Sequence, residues 1–174
     1  MKYSLIATLG IVLALTACRK DAEKAFLFEM EYPVDFTINA GLGPYLAHYF
    51  EIPNIPTYYD SLLAYHNMED ADVTLIQARK ARLISIFNDV NYDFIKSIDV
   101  EIYDTQTGTT KYFPAFYRDP VPENTGSTVE LIAEETDLTP YLKSDRFNVR
   151  IRLELFSAAP QTIESRLILS FAAR

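Results

Sequence analysis

The stretch Val149-Arg150-Ile151-Arg152-Leu153-Glu154-Leu155 alternates strictly between apolar and charged side chains. A second stretch, 163–171, repeats the pattern, with Ile163, Leu167, Leu169 and Phe171 set against Glu164, Arg166 and Ser170. Successive side chains of a strand point to opposite faces, so each stretch predicts a strand with one face on a core and one in water. The gap around Pro160 suits a loop, and the two strands are therefore expected to form a hairpin at the centre of the fold.

The same alternation recurs along the rest of the chain. It is found at 26–32, 34–38 and 98–103, and further strands are expected near 79–87, 111–118 and 127–133. Turn-forming residues separate these segments, at Thr107-Gly108, within 120–126 and at Ala159-Pro160. Seven or eight strands of this kind predict an all-β protein, an antiparallel β-sandwich.

Three short segments predict helix and form a small helical insert in this fold. Tyr58 to Tyr65 follows Thr57, an acceptable helix N-cap residue, and Asp70 to Ala78 is expected to add a helical turn. Asp137 to Leu142 predicts a short capped helix that crosses between strands and places its apolar residues at one end of the sandwich.

Composition limits the classes of partner. The chain has 174 residues, with 16 basic and 24 acidic side chains and a net charge of −8 at neutral pH. A net negative surface argues against nucleic acid as a partner. Hydrophobic residues make up 49% of the chain, and the length after residue 25 suits one domain, which is assigned to 26–174.

The first residues predict export. Lys2 precedes an almost wholly apolar run from Leu5 to Leu15, and small residues Thr16 and Ala17 follow it, which is the layout of a secretory signal. The run is shorter than the roughly 20 apolar residues that a membrane-spanning helix needs. Leu15-Thr16-Ala17-Cys18 also resembles the lipobox of bacterial lipoproteins. The resemblance implies a signal peptide at 1–17, cleavage before Cys18, and acylation of Cys18.

A lipid on Cys18 would explain why it is the only cysteine, because a lone cysteine has no partner within the chain for a disulfide. The alternative is a free thiol at the end of an ordinary signal peptide or membrane segment. Residues 18–25 then form a short charged tether. Arg19 follows the cysteine where enteric inner-membrane lipoproteins have aspartate, so the resemblance implies the outer membrane, with the face left open.

The second half of the chain resembles a group of Bacteroidota lipoproteins. The residues that carry the likeness are 94–98 (Phe-Ile-Lys-Ser-Ile), 137–145 (Asp-Leu-Thr-Pro-Tyr-Leu-Lys-Ser-Asp) and 147–152 (Phe-Asn-Val-Arg-Ile-Arg). The resemblance implies an outer-membrane lipoprotein with an immunoglobulin-like β-sandwich domain. It brings no catalytic residue.

No pattern predicts catalysis, a metal or another cofactor. No serine lies in a Gly-x-Ser-x-Gly turn. A zinc site needs three or four ligands with His or Cys prominent, whereas the only histidines, His48 and His66, are 18 residues apart and the one cysteine is assigned to the lipid. Asp89, Asn91 and Asp93 have the spacing that begins a calcium loop, but glycine and glutamate are missing at its sixth and twelfth places. A polar turn is the expected structure there.

Five tyrosines are candidates for a binding surface. Tyr45, Tyr49, Tyr58, Tyr59 and Tyr65 fall between residues 44 and 66 together with three prolines. Tyrosine suits wet interfaces, and segments bounded by proline tend to lie outside sheets. The stretch predicts a partner-binding surface, and the alternative is that its rings cover an end of the sandwich as part of the core.

Together these features predict a lipid-anchored envelope protein that acts without catalysis. Its expected role is that of a binding or scaffolding subunit in an outer-membrane protein assembly, with the membrane contacted through acyl chains. The alternative is a surface-exposed ligand-binding module for glycan or peptide.

Overall fold

The computed structural model describes residues 26–87, 90–105 and 109–174, so Cys18 and the segments 1–17 and 18–25 lie outside the described residues. The strands are β1 (Phe28–Ile38), β2 (His48–Pro56), β3 (Ile76–Ser85), β4 (Ile95–Asp104), β5 (Lys111–Arg118), β6 (Thr128–Ala133), β7 (Arg146–Leu155) and β8 (Ile163–Ala173). Helix α1 (Tyr59–His66), a 3-10 turn (Asp70–Asp72) and the one-turn helix α2 (Thr139–Leu142) complete the elements. The predicted all-β fold with a short helical insert is confirmed.

The eight strands form one antiparallel strip in the order β1-β8-β3-β6-β5-β4-β7-β2. We call β1-β8-β3-β6 half A and β5-β4-β7-β2 half B. A short pairing of β5 with β6, at Phe116 opposite Ala133 and Tyr117 opposite Ile132, joins the halves. The strip is folded so that the halves face each other, because rings of β1 contact rings of half B: Tyr32 lies 4.9 Å from Phe147 and Phe36 lies 5.0 Å from Phe50.

This strand order is that of a jelly roll, in which two four-stranded antiparallel sheets are built from a chain that crosses between them. An immunoglobulin domain instead places its first, second, fifth and fourth strands in one sheet. The structure therefore keeps the predicted sandwich but not the immunoglobulin-like strand order that the resemblance implied.

Alternation along the strands correctly predicted which side chains face the core. On β1 every second residue from Phe28 to Ile38 is buried, while Glu31, Pro33 and Asp35 between them are exposed. On β7 the apolar residues Val149 to Leu155 face inward, and Arg150 and Arg152 face outward into ion pairs with Glu101 and Asp99.

The predicted hairpin of the last two strands is wrong. β7 pairs with β2 and β4 in half B, whereas β8 pairs with β1 and β3 in half A. Residues 156–162 cross from one half to the other, and facing sheets are only about 10 Å apart, a distance that a loop of this length spans. Alternation reveals which side of a strand is buried, and it does not reveal which strand is its neighbour.

The prolines between 44 and 66 were also misread, since His48–Pro56 is strand β2 rather than a segment outside the sheets. β2 is an edge strand that pairs only with β7, and its pairing is irregular between Ile52 and Ile55, where Pro53 lies. Proline is tolerated on an edge strand because the N–H that it lacks would point to solvent.

Two helix details differ from the sequence prediction. The N-cap position of α1 is Tyr58 rather than Thr57, and the buried Thr57 hydroxyl instead donates a 2.5 Å hydrogen bond to the Ser144 carbonyl. The helical turn expected at 70–78 is a 3-10 turn that ends at Asp72, and β3 begins at Ile76. Helix α2 is present, and its N-cap residue Leu138 and its last residue Leu142 are fully buried.

The two ends of the sandwich carry different elements, loops at one end and helices at the other. At the end where β1 ends, the loops 39–47, 119–127 and 156–162 each cross between the halves, and β3 of half A ends there while β4 of half B begins there. We call this the distal end. At the opposite, proximal end lie the start of β1, helices α1 and α2, the end of β4 and the start of β5.

Burial separates two leucines that have the same chemistry. Leu153 is 0% exposed on β7, whereas Leu46 is 75% exposed in a distal loop. Leu153→Ala should lower the free energy of unfolding by about 2–5 kcal/mol, from lost apolar transfer and a residual cavity. Leu46→Ala should stay within about 0.5 kcal/mol. Denaturant unfolding measures both, and equal losses would contradict the inward assignment of β7.

Candidate binding surfaces

The five candidate tyrosines do not form one surface, because β2 carries the chain from the distal to the proximal end. β2 has nine residues and spans about 30 Å at the usual rise per residue. Tyr45 therefore lies at the distal end, whereas Tyr58, the N-cap residue of α1, and Tyr65, near the end of α1, lie at the proximal end. All three rings are largely exposed, with Tyr45 the most exposed at 94%.

Tyr59 belongs to the core, because its side chain is only 3% exposed. For this residue the alternative interpretation, in which the tyrosine rings are part of the core, is the correct one. Its ring lies 6.3 Å from that of Phe28, and its hydroxyl donates a 2.9 Å hydrogen bond to Asp70 Oδ1. Burial and the Asp70 carboxylate together raise the pKa of the Tyr59 hydroxyl. Lys143 also binds Asp70 at 2.9 Å, so this cluster ties α1, the 3-10 turn and the end of α2 together.

Tyr49 lies on the outer face of half B, where side chains of neighbouring strands hold it. The Arg150 guanidinium lies 5.1 Å from the centre of the Tyr49 ring and 3.2 Å from that of Tyr112. The same guanidinium forms a 2.6 Å ion pair with Glu101. The partners of Arg150 are therefore on three strands, and the Tyr49 ring is part of a fixed outer face.

A group of apolar side chains projects from the distal loops, and we call it the distal surface. It consists of Tyr45, Leu46, Phe87 and Phe156, which are 94%, 75%, 70% and 58% exposed. Loops 39–47 and 156–162 contain no charged residue, although 23% of the chain is charged. Large exposed apolar patches on soluble domains are typical of interaction sites.

Hydrogen bonds fix the two uncharged loops to each other. Gly41 N donates to Ala159 O at 3.0 Å, and Ala159 N donates to Leu42 O at 2.9 Å. The ring of His48 is 2.8 Å from Gly43 O through Nε2, which holds the loop against the start of β2. Gly41 has φ +78°, in the left-handed region where a side chain is unfavourable, so glycine suits this turn.

A groove of about 840 Å³ opens at the proximal end of half B, and we call it the proximal groove. It forms where the pairing of β2 with β7 is interrupted, beside the end of β4 and helix α2. Its lining includes Asn54, Tyr103, Asp104, Tyr141, Asp145, Arg146 and Asn148. Its volume lies within the range of ligand-binding clefts.

The remaining polar candidates have structural partners or lie outside the described residues. His66 stacks on Phe28 with ring centres 5.4 Å apart. Asp93 Oδ1 accepts a 2.9 Å hydrogen bond from Thr125 N, as expected for a polar turn, and Asp89 is outside the described residues. Within 26–87, 90–105 and 109–174, no three His, Cys, Asp or Glu side chains are grouped so that they could hold a metal ion.

Sequence reasoning missed Leu46, Phe87, Phe156 and the proximal groove. One signal for the distal surface was readable: 39–47 is an uncharged loop with two adjacent large apolar residues. Its junction with 156–162 joins residues more than 110 positions apart, and no local pattern predicts such a contact. The groove depends on the irregular pairing of β2, a strand that was itself missed.

Comparison with known proteins assigns no family. No protein-family model matches the chain, and no curated protein matches it. Among solved structures, the decameric BFDV capsid protein is 13% identical with a TM-score of 0.33, over 84% of this chain and 97% of that one. A Desmodium yellow mottle tymovirus structure is 14% identical with a TM-score of 0.27, over 84% and 87%. TM-scores this low support no conclusion about fold or function.

Among the described residues, no helix has both the length and the apolar character needed to cross a membrane.

Tyr58 and Tyr59, adjacent residues at the start of α1, allow a matched test of burial. Tyr59→Ala should lower the free energy of unfolding by roughly 3 kcal/mol or more, because a buried ring is removed from the core. Tyr58→Ala should change it by less than about 0.5 kcal/mol, since that ring is in solvent. Thermal and denaturant unfolding measure both variants. A small loss for Tyr59→Ala would place its ring outside the core.

Proposed function

We propose that this protein is a lipid-anchored envelope protein of the outer membrane that acts without catalysis, as a binding or scaffolding subunit of a protein assembly. The single observation that carries the proposal is the placement of the distal surface at the opposite end of the sandwich from the start of β1. A chain acylated at Cys18 would join the domain at that proximal end, through residues 18–25.

The length of β1 determines the distance between the distal surface and the start of β1, where residues 18–25 would join the domain. β1 has eleven residues and spans about 36 Å along the sandwich. Phe26, just before β1, packs beneath Arg79 and Arg174, whose guanidinium carbons lie 4.6 and 5.1 Å from its ring centre. These contacts fix the chain to the domain where it enters, so an anchored domain would turn its distal surface away from the point of attachment.

The chemistry of the distal surface suits a protein partner. Binding energy in protein interfaces concentrates in a few anchors, and aromatic side chains are enriched among them. Here Tyr45, Leu46 and Phe156 lie on loops without charges, so a partner can cover these three side chains without removing an ion from water. The hydrogen bonds between 39–47 and 156–162 hold the loops in one arrangement before binding, which reduces the entropy lost on association.

Cys18→Ser tests the lipid anchor. The variant should lose acylation and normal processing and should no longer fractionate with membranes, because a hydroxyl cannot replace the thiol that receives the lipid. Intact-mass measurement on the mature wild-type protein is expected to find acyl chains on Cys18. A mature protein without them would contradict the anchor.

Leu46→Asp tests the distal surface. A carboxylate there should weaken partner binding by about 2 kcal/mol or more, because an interface would have to bury a charge. The melting temperature should hardly change, since Leu46 is exposed. Affinity purification from solubilised envelopes, with quantification of any stoichiometric membrane protein, measures the loss. Tyr65→Asp at the proximal end is the matched control and should retain the partner.

If both variants retain the same partner, the interface lies elsewhere on the domain. If no stoichiometric protein is recovered with the wild type, the alternative is favoured. In that alternative the protein is a surface-exposed ligand-binding module for glycan or peptide. The proximal groove is the observation that favours it, since it offers a concave site of ligand size.

A further inference from the structure

We propose that the proximal groove binds a neutral oligosaccharide. This inference rests on the ligand-binding alternative, and it depends neither on the lipid on Cys18 nor on the distal surface. It assigns the groove one of the two ligand classes, glycan rather than peptide.

The main-chain groups in the groove are already paired, which argues against an extended peptide. Asn54 N donates to Asn148 Oδ1 at 2.9 Å, and Asn54 O accepts from Arg146 Nη1 at 2.8 Å. Asn148 Nδ2 donates to Tyr103 O at 3.0 Å, and Pro53 has no N–H. A peptide strand that adds to a sheet edge needs a row of free main-chain donors and acceptors.

The side chains that remain suit hydroxyl groups. Asp145 offers carboxylate acceptors, Arg146 offers guanidinium donors beyond the one that binds Asn54, and Tyr141 offers a phenol. Sugar hydroxyls both donate and accept, so a lining of mixed donors and acceptors satisfies them. Burial raises the pKa of the Tyr141 hydroxyl, with Asp104 and Asp137 adding to the shift, so this phenol stays protonated and able to donate.

Charge and shape favour a neutral ligand with an apolar face. The charged side chains that line the groove are Asp104, Asp145 and Arg146, so acidic groups outnumber basic ones and the groove does not attract an acidic sugar. The Tyr141 ring packs 4.3 Å from Phe113, which holds it at the groove wall. An aromatic ring held in this way presents an apolar surface beside polar groups, the combination that the C–H and O–H faces of a sugar ring require.

The groove wall is fixed before any ligand binds. Leu138 and Leu142 hold α2 in the core, and Ile76 N donates to Thr139 Oγ1 at 2.7 Å. The Ser144 hydroxyl donates to Tyr141 O at 2.5 Å and lies 2.7 Å from Arg146 O, which braces the connection from α2 to β7. A site built this way loses little conformational entropy on binding.

Calorimetric titration of the purified full-length protein, in a detergent without a sugar headgroup, tests the site. The probes are maltohexaose, cellohexaose, xylohexaose, mannohexaose and chitohexaose at millimolar concentration. At least one should bind the wild type. Asp145→Ala should weaken that binding roughly tenfold or more, as expected for losing hydrogen bonds to a charged group. Tyr141→Phe keeps the ring, removes the hydroxyl, and should weaken it about fivefold.

Matched controls carry the same changes outside the groove. Asp60→Ala and Tyr65→Phe should bind as the wild type does, and all four variants should melt like the wild type because the altered groups are exposed or lose only a hydroxyl. Binding of no probe, or binding that Asp145→Ala leaves unchanged, overturns the assignment. Selection of peptides from a phage-displayed library that bind the wild type but not Asp145→Ala, with no sugar binding, would assign the groove to peptide instead. Intact-mass measurement of the mature protein tests the lipid on Cys18 independently of these binding experiments.

Discussion

Contact between aromatic rings of the two halves is the interaction on which the rest of the structure depends. Phe171 of β8 lies 5.5 Å from Phe116 of β5, 6.2 Å from Phe147 of β7 and 6.0 Å from Tyr32 of β1. Two of these neighbours belong to half B, so the cluster joins the halves through packing, whereas main-chain pairing between them is confined to the short β5–β6 contact. Tyr32 also donates a 2.6 Å hydrogen bond to Thr57 O, which fixes the start of the α1 connection to the same cluster.

The strand order places consecutive strands in different halves everywhere except at β4 and β5, so the chain crosses between the halves at both ends of the sandwich. This path places chain segments that are far apart in sequence side by side at the distal end. It also separates residues that are close in sequence, as β2 separates Tyr45 from Tyr58. Surfaces of this protein are therefore assembled from several crossings, and a binding site on it cannot be read from one continuous segment.

The difference between local patterns and long-range strand pairing explains how much of the structure could be predicted from the sequence. Side-chain alternation is a local property, so the buried faces of β1, β4, β7 and β8 were predictable from residues such as Val149, Ile151 and Leu153. Strand neighbours follow from loop crossings and packing across the core, so the hairpin of β7 with β8 was predicted wrongly. β2 was missed because its prolines were weighed more heavily than the alternation of Phe50 and Ile52, and proline disqualifies an interior strand but not an edge. The prediction for the tyrosine surface was wrong for Tyr59, because this first residue of α1 turns its ring into the core while its neighbour Tyr58, the N-cap residue, is exposed.

The prolines of the two edge strands, β1 and β2, affect whether copies of the protein can join edge to edge. Where copies of a protein meet at high concentration, strips of sheet with free edges can join into polymers. Here β1 presents Pro33 at the middle of its free edge, and β2 presents Pro53 within its irregular pairing. Each proline leaves a gap in the row of N–H groups that an added strand would need. The eight-stranded strip thus ends in two edges that resist the addition of a further strand.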